Sequence, residues 1–282
     1  SIYFTKKRYP DTDLAKVGVP AKVVVLKAEN PTAEEALISD ISRFANSQNT
    51  VKQSDLSANS PFHVELEKLS NSVYLPDGVG RWFYERAAGS YTTMLAREGS
   101  TPAKYRNLKA NVVPPARRLT KTDLAKFLNS WDGRPDLASL GGQKNFARFM
   151  DDVREREERD ESVIPDANGF KRMIGKVILF KQVHSLVRPM LPAFQGNVAI
   201  YTVSLIARRH GARIDLVRIW EQQGITTAIK DQNRIWAREV NAALHSTANG
   251  RMISEWAKKE DCWTELRELS LTAAVGNIPE IK

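Results

Sequence analysis

The stretch that decides the fold is residues 169–187, GFKRMIGKVILFKQVHSLV. Phe170, Met173, Ile174, Val177, Ile178, Phe180, Val183 and Leu186 recur at helical intervals and cover more than half of the circumference. A helix apolar over that much of its surface has to be surrounded, so it is expected at the centre of a helical bundle. The same periodicity predicts helices over 197–210, 214–223, 225–247 and 260–271, with Gly211, Gly224 and Gly250 as stops. Upstream, residues 121–131 carry Leu124, Phe127 and Leu128 on one face. Residues 145–159 carry Phe146, Phe149, Met150 and Val153 and then run into a charged connector, DDVREREERDES, at 151–162.

Toward the N-terminus the pattern changes. Residues 20–26 (PAKVVVL) are β-branched and read as a buried strand. Thr32 and Glu35 then have the spacing of a capping box, and Leu37, Ile38, Ile41, Phe44 and Ala45 give a helix over 33–46 one buried face. Ser60 and Pro61 begin a further helix with Phe62, Leu66 and Leu69 as its stripe. Residues 76–80 (PDGVG) form a turn. Residues 81–86 (RWFYER) read as a strand with Trp82 and Tyr84 on one face, closed by a turn at Gly89 and Ser90. Pro102, Pro114 and Pro115 exclude a long helix from residues 100–118. The expected architecture is mainly α with a small α/β part. Short strands and helices fill the N-terminal half (residues 1–135) and a helical bundle the rest (136–282), divided within the Gly- and Pro-containing residues 132–142.

The composition narrows the function. In 282 residues, 42% hydrophobic content suffices for a full core. Cys262 is the single cysteine, so no internal disulfide or Cys-based zinc site forms. His63, His184, His210 and His245 lack metal-ligand spacing, and neither GxSxG, Walker A nor GxGxxG occurs. No cofactor and no metal is expected. No apolar run is long enough to span a membrane and no signal pattern opens the chain, so no membrane contact and a cytoplasmic location are expected. The chain starts at Ser1 without a methionine and reads as a piece of a longer protein. Its net charge of +9, spread along the chain, favours a polyanionic partner, DNA or RNA.

Restriction-type metal chemistry needs an Asp followed by a strand bearing Glu-x-Lys. Asp11 and Asp13 precede the first strand, but its end reads Lys27-Ala28-Glu29, the reverse order, and we read this as a chance pattern. Residues 141–145 (GGQKN) put glycines and a lysine before a helix, where free N–H groups can meet phosphate or simply start the helix. Residues 44–56 (FANSQNTVKQSDL) are dense in amides, which suit base and sugar edges or the local closing of a helix. In RWFYER, aromatics and guanidinium groups suit stacking and phosphate contact, or an ordinary alternating strand.

FANSQNTVKQSDL, RWFYERAAGSY, LTKTDLAKFLNSW and PDLASLGGQKNFARF, in this order, resemble the AIPR (abortive infection phage resistance) family over about residues 1–150. The resemblance implies a phage-defence role, and that this chain is the C-terminal half of a protein whose upstream half has a restriction-type nuclease fold. It carries over Asn46, Gln48, Asn49, Lys52 and Asp55; Trp82, Tyr84, Glu85 and Gly89; Lys121, Thr122 and Asp123; and Lys144, Asn145 and Phe146.

Three readings follow. In the first, a non-catalytic module contacts nucleic acid through Asn46, Gln48, Asn49, Lys52, Arg81, Tyr84, Arg86, Lys121, Lys144 and Asn145. In the second, the helical tail docks other proteins of the phage-defence operon, or forms a homo-oligomer, through an exposed patch near Trp220, Trp236, Trp256 or Trp263. In the third, Glu85, Asp123 and Lys144 converge on a dispersed catalytic site. Against the first stands a purely structural role, with Asn46 and Asn49 locking a helix exit and Trp82 and Phe146 packing the core.

Overall fold

The computed structural model describes residues 59–159 and 161–282, together with residues 6, 7, 9–11, 13, 14, 18, 25 and 37. The chain divides into two compact units, Ser1–Thr50 and Val51–Lys282, and the elements below belong to the second. The expected first strand, the helix over 33–46 and the amide-rich stretch lie outside the described residues, except that Val25 is 81% and Leu37 42% exposed, where buried positions were expected.

In chain order the elements are α1 (Pro61–Ser72), β1 (Phe83–Glu85), α2 (Ser90–Glu98), α3 (Pro102–Asn107), a π-helical turn (Leu108–Val112), β2 (Arg118–Thr120), α4 (Lys121–Trp131), α5 (Pro135–Ala138) and α6 (Gly142–Glu158). There follow α7 (Ala167–Met190), α8 (Gln195–His210), α9 (Leu216–Gln222), α10 (Thr227–Thr247), α11 (Ile253–Trp256) and α12 (Glu260–Leu266). The protein is mainly α with a small α/β part.

The central-helix expectation holds for residues 169–187. α7 starts where Asp166 Oδ1 accepts from the Gly169 N–H at 2.6 Å. It then buries residues on nearly every side, including Phe170, Ile174, Val177, Leu179 and Val183, against α1, α4, α8, α9 and α10. Burying each such side chain contributes about 1.5–3 kcal/mol. Gly175 is needed for close approach, since a Cβ there would stand 2.3 Å from the Leu216 carbonyl oxygen at the start of α9.

One apolar core runs from Phe62 to Ile278 and includes residues on both sides of 132–142. Polar bonds tie its layers together. Ser204 Oγ on α8 donates to the Ser130 carbonyl on α4 at 2.6 Å, and Tyr201 Oη donates to the Ala257 carbonyl at 2.9 Å. After α12, which ends at Leu266 rather than 271, the chain returns across the bundle. Trp236 Nε1 donates to the Thr272 carbonyl at 2.8 Å, and the buried Glu280 carboxylate accepts from both the backbone N–H and the hydroxyl of Thr226, where α10 begins. The helix expected over 145–159 runs to Glu158, through most of the charged connector, with Phe149, Met150 and Val153 holding that face of α6 in the core.

Upstream, β1 and β2 pair in parallel with Phe83 opposite Arg118, Tyr84 opposite Leu119 and Glu85 opposite Thr120. Trp82 and Tyr84 enter the main core, as their spacing predicts. Phe83 points the other way into a smaller cluster with Tyr91, Met94, Leu95, Leu108 and Val113. Residues 100–118, expected to be irregular, are instead helical from Pro102 to Val112, because Pro102 falls in the first turn of α3 where its missing N–H costs nothing; Pro115 opens only a single 3-10 turn. Ser60 precedes α1, but its hydroxyl makes no capping bond; the Ser60 carbonyl, accepting from the Val64 N–H at 3.1 Å, closes the first turn instead.

Candidate nucleic-acid interface

Residues 81–86 engage inward at almost every side chain. Tyr84 is 2% exposed, and its hydroxyl bonds His63 Nδ1 at 2.7 Å, with the His63 ring stacked between Tyr84 and Phe146. Burial, helped by the nearby charges of Lys121 and Arg86, takes the His63 imidazole down to about 3, so it is neutral in the fold. Trp82 Nε1 donates to Gln223 Oε1 at 2.9 Å, and the Lys181 ammonium sits over the indole at 4.9 Å. Buried Glu85 accepts from the Arg118 Nε at 2.6 Å and from the Gly89 N–H at 3.1 Å. That second bond holds the turn at Gly89, whose φ of 82° suits glycine. Arg81 donates to Glu98 at 2.9 Å and Asn71 at 3.2 Å, and Arg86 to Glu67 at 2.7 Å and Asn59 at 2.9 Å.

The motif at 119–123 is likewise structural. Thr120 Oγ1 accepts from the Asp123 N–H at 3.1 Å and donates to the Asp123 carboxylate at 2.8 Å, starting α4.

The sequence-derived binding residues therefore do not form one exposed surface. Asn46, Gln48, Asn49 and Lys52 lie outside the described residues. Arg81, Tyr84, Lys121 and Asn145 are buried, and Asn145 pairs with Asn129 side chain to side chain at 2.7 Å. Tyr84 accordingly offers no ring face to a base. Arg86 is half-buried and ion-paired, and Lys144 is exposed beside Gly141, Gly142 and Lys258. Of the dispersed catalytic set, Glu85 is turned onto Arg118 and the Gly89 turn, and Asp123 into the α4 cap. Among the described residues no three His, Cys, Asp or Glu groups converge as a metal site. Trp220, Trp236 and Trp256 are 5%, 0% and 1% exposed, so they supply no apolar docking patch, and Trp263 packs partly buried against the core.

A different surface stands out. Residues 99–122 contain Lys104, Arg106, Lys109, Arg117, Arg118 and Lys121 and no Asp or Glu. Lys104, Arg106, Lys109 and Arg118 are exposed, together with Asn107 and Asn111, and Tyr105 is half-buried with the Lys109 ammonium 6.0 Å from its ring centre. Arg118 is held by Glu85, but no carboxylate pairs with Lys104, Arg106 or Lys109 among the described residues. The segment is firmly mounted. Thr101 caps α3 by accepting from the Lys104 N–H at 3.2 Å, Leu108 and Val113 fill the smaller core, and Tyr91 Oη donates to the Val113 carbonyl at 2.7 Å. Sequence reasoning passed over it as irregular chain, although a run of 24 residues bearing six cations and no carboxylate was visible there.

Residues 1–248 match the family described as AIPR protein, and the chain belongs to that family. Membership gives it a role in phage defence by abortive infection. No curated protein and no solved structure matches the chain. Among the described residues no helix is long and apolar enough to cross a membrane.

Proposed function

We propose that the helical unit is a nucleic-acid-contacting module of this abortive-infection protein, acting in the cytoplasm and binding rather than cutting, with contact made by residues 99–118. The observation that carries the reading is the acid-free basic segment. Its exposed cations alternate with Tyr105, Asn107 and Asn111 on a rigid mount. Cations without neighbouring carboxylates keep their field for phosphates, and a tyrosine beside them gives a base something to stack on. Lys144, exposed beside Lys258, and the sequence-derived Asn49 and Lys52 are tested separately from this segment.

The test is fluorescence anisotropy of the whole chain with duplex DNA, single-stranded DNA and RNA at several salt concentrations. Wild type is compared with a Lys104→Ala, Arg106→Ala, Lys109→Ala variant and with an Asn49→Ala, Lys52→Ala, Lys144→Ala variant. Binding should weaken with salt, and losing three phosphate contacts should reduce the log–log salt slope by about 2–3. Binding that ignores the first variant removes this segment from the interface. Absence of binding at low salt removes the nucleic-acid reading altogether.

A further inference from the structure

Three of the more exposed residues of the main core lie together. Leu128, Met173 and Leu216 remain 9%, 8% and 9% exposed, whereas Leu124, Ile174 and Val177, their neighbours on the same or adjoining helices, are at 0%. The first three help line a cleft of about 240 Å³ bordered by α4, α6 and α7, with Phe62 and Phe149 also in its wall. Val163 and Pro165, from the link between α6 and α7, line it too. Gly169 lets that link close in, because a Cβ there would stand 2.9 Å from Pro165 Cβ.

The rim is charged but unevenly satisfied. Asp152 pairs with Arg134 at 3.0 Å and Asp132 with Lys176 at 3.5 Å, so both rim carboxylates already hold a cation. Arg156 bonds Glu161 at 3.1 Å. Arg172, which also lines the cleft, has no hydrogen bond or ion pair among the described residues. Arg172 and Lys176 are four residues apart on α7 and therefore project from the same helical face. Lys176, 3.5 Å from Asp132 and with its ammonium 5.4 Å from the Trp131 ring centre, is the second cation on that face.

We propose that this cleft is a binding site for a small amphipathic anion, a compact apolar body of about ten non-hydrogen atoms carrying a carboxylate or phosphate. The apolar body lies on Phe149, Met173 and Leu216, and the anionic group sits between Arg172 and Lys176. Cations are excluded by the uncompensated charge of Arg172. Short inorganic anions bind poorly, because nothing then covers the apolar wall. The site is independent of the basic segment at 99–118 and stands or falls separately from nucleic-acid binding.

The test uses the whole chain labelled with ¹³C at the methionine methyl groups, of which there are five, one of them Met173 in the cleft and another, Met94, in the separate smaller core. Octanoate, octyl phosphate and octyltrimethylammonium are titrated in turn. The Met173 methyl should shift saturably with either anion while Met94 stays still, and the tighter anion names the head group. Octyltrimethylammonium should bind at least about ten-fold more weakly, and Arg172→Glu should cost octanoate about ten-fold or more while Arg172→Lys costs less. The proposal is overturned if Met173 does not respond to either anion, if the ammonium binds as well as the anions, or if Arg172→Glu leaves anion binding unchanged.

Discussion

Residues 81–86 and 99–118 are neighbours in sequence and touch in the fold, where the Arg81 N–H donates to the Val112 carbonyl at 2.9 Å, yet they use their cations in opposite ways. Arg81 and Arg86 are committed to Glu98 and Glu67, and every side chain from Arg81 to Glu85 is buried. Lys104, Arg106 and Lys109 meet no carboxylate among the described residues and face solvent. Residues 81–86 of the family motif are thus a clasp that builds the unit, while the basic surface we propose for nucleic acid lies in chain that carries no motif. A family signature marks what the fold requires, and binding chemistry can sit beside it.

The comparison can be broken most sharply at Tyr84. Tyr84→Ala removes a buried ring and leaves His63 Nδ1 without its partner, so urea unfolding should show a loss of about 3–5 kcal/mol. A loss below about 1 kcal/mol would mean that the clasp is not what holds this region. Gly175→Ala should cost about 1–3 kcal/mol, because its methyl group meets the Leu216 backbone rather than a movable side chain. A neutral result would show that α7 and α9 separate easily.

His63 sharpens the comparison through pH. Its folded value, about 3, lies below the ordinary 6.5, so as pH falls the unfolded chain takes up the proton first. The stability contributed by neutral His63 is fully present above about pH 6.5 and is lost toward pH 3, at about 1.4 kcal/mol per pH unit for this one group. His63→Gln should flatten that part of the pH dependence between pH 7 and 5, measured by chemical unfolding at each pH. An unchanged slope would place the titration elsewhere. The smallest effect on stability is expected from the exposed set. Lys104→Ala, Arg106→Ala and Lys109→Ala together should shift unfolding by no more than about 0.5 kcal/mol, even as they weaken binding.

Much of the fold was legible because its signals are local. α4 spans Lys121–Trp131 as its apolar stripe predicts, and α7 extends the expected central helix by only a few residues at each end. α2 was passed over because Gly89 and Ser90 read as a turn, although Tyr91, Met94 and Leu95 sit at helical spacing behind them and are buried. α11, a single turn at Ile253–Trp256, is too short to carry a period. The candidate site was the least legible part. Tyr84 finds His63 and Asn145 finds Asn129, 21 and 16 residues earlier in the chain, and no spacing rule tells a polar side chain with such a buried partner from one that faces solvent. The basic segment was readable from charge alone, but only by noticing where acids are missing.

The most direct test of this division is hydrogen exchange across the whole chain, free and with saturating short duplex DNA or single-stranded RNA at low salt. The account predicts added protection in peptides covering residues 99–118 and little change over 81–86, whose amides and side chains are already engaged. Protection confined to other parts of the chain, or none under conditions where anisotropy shows binding, would contradict it.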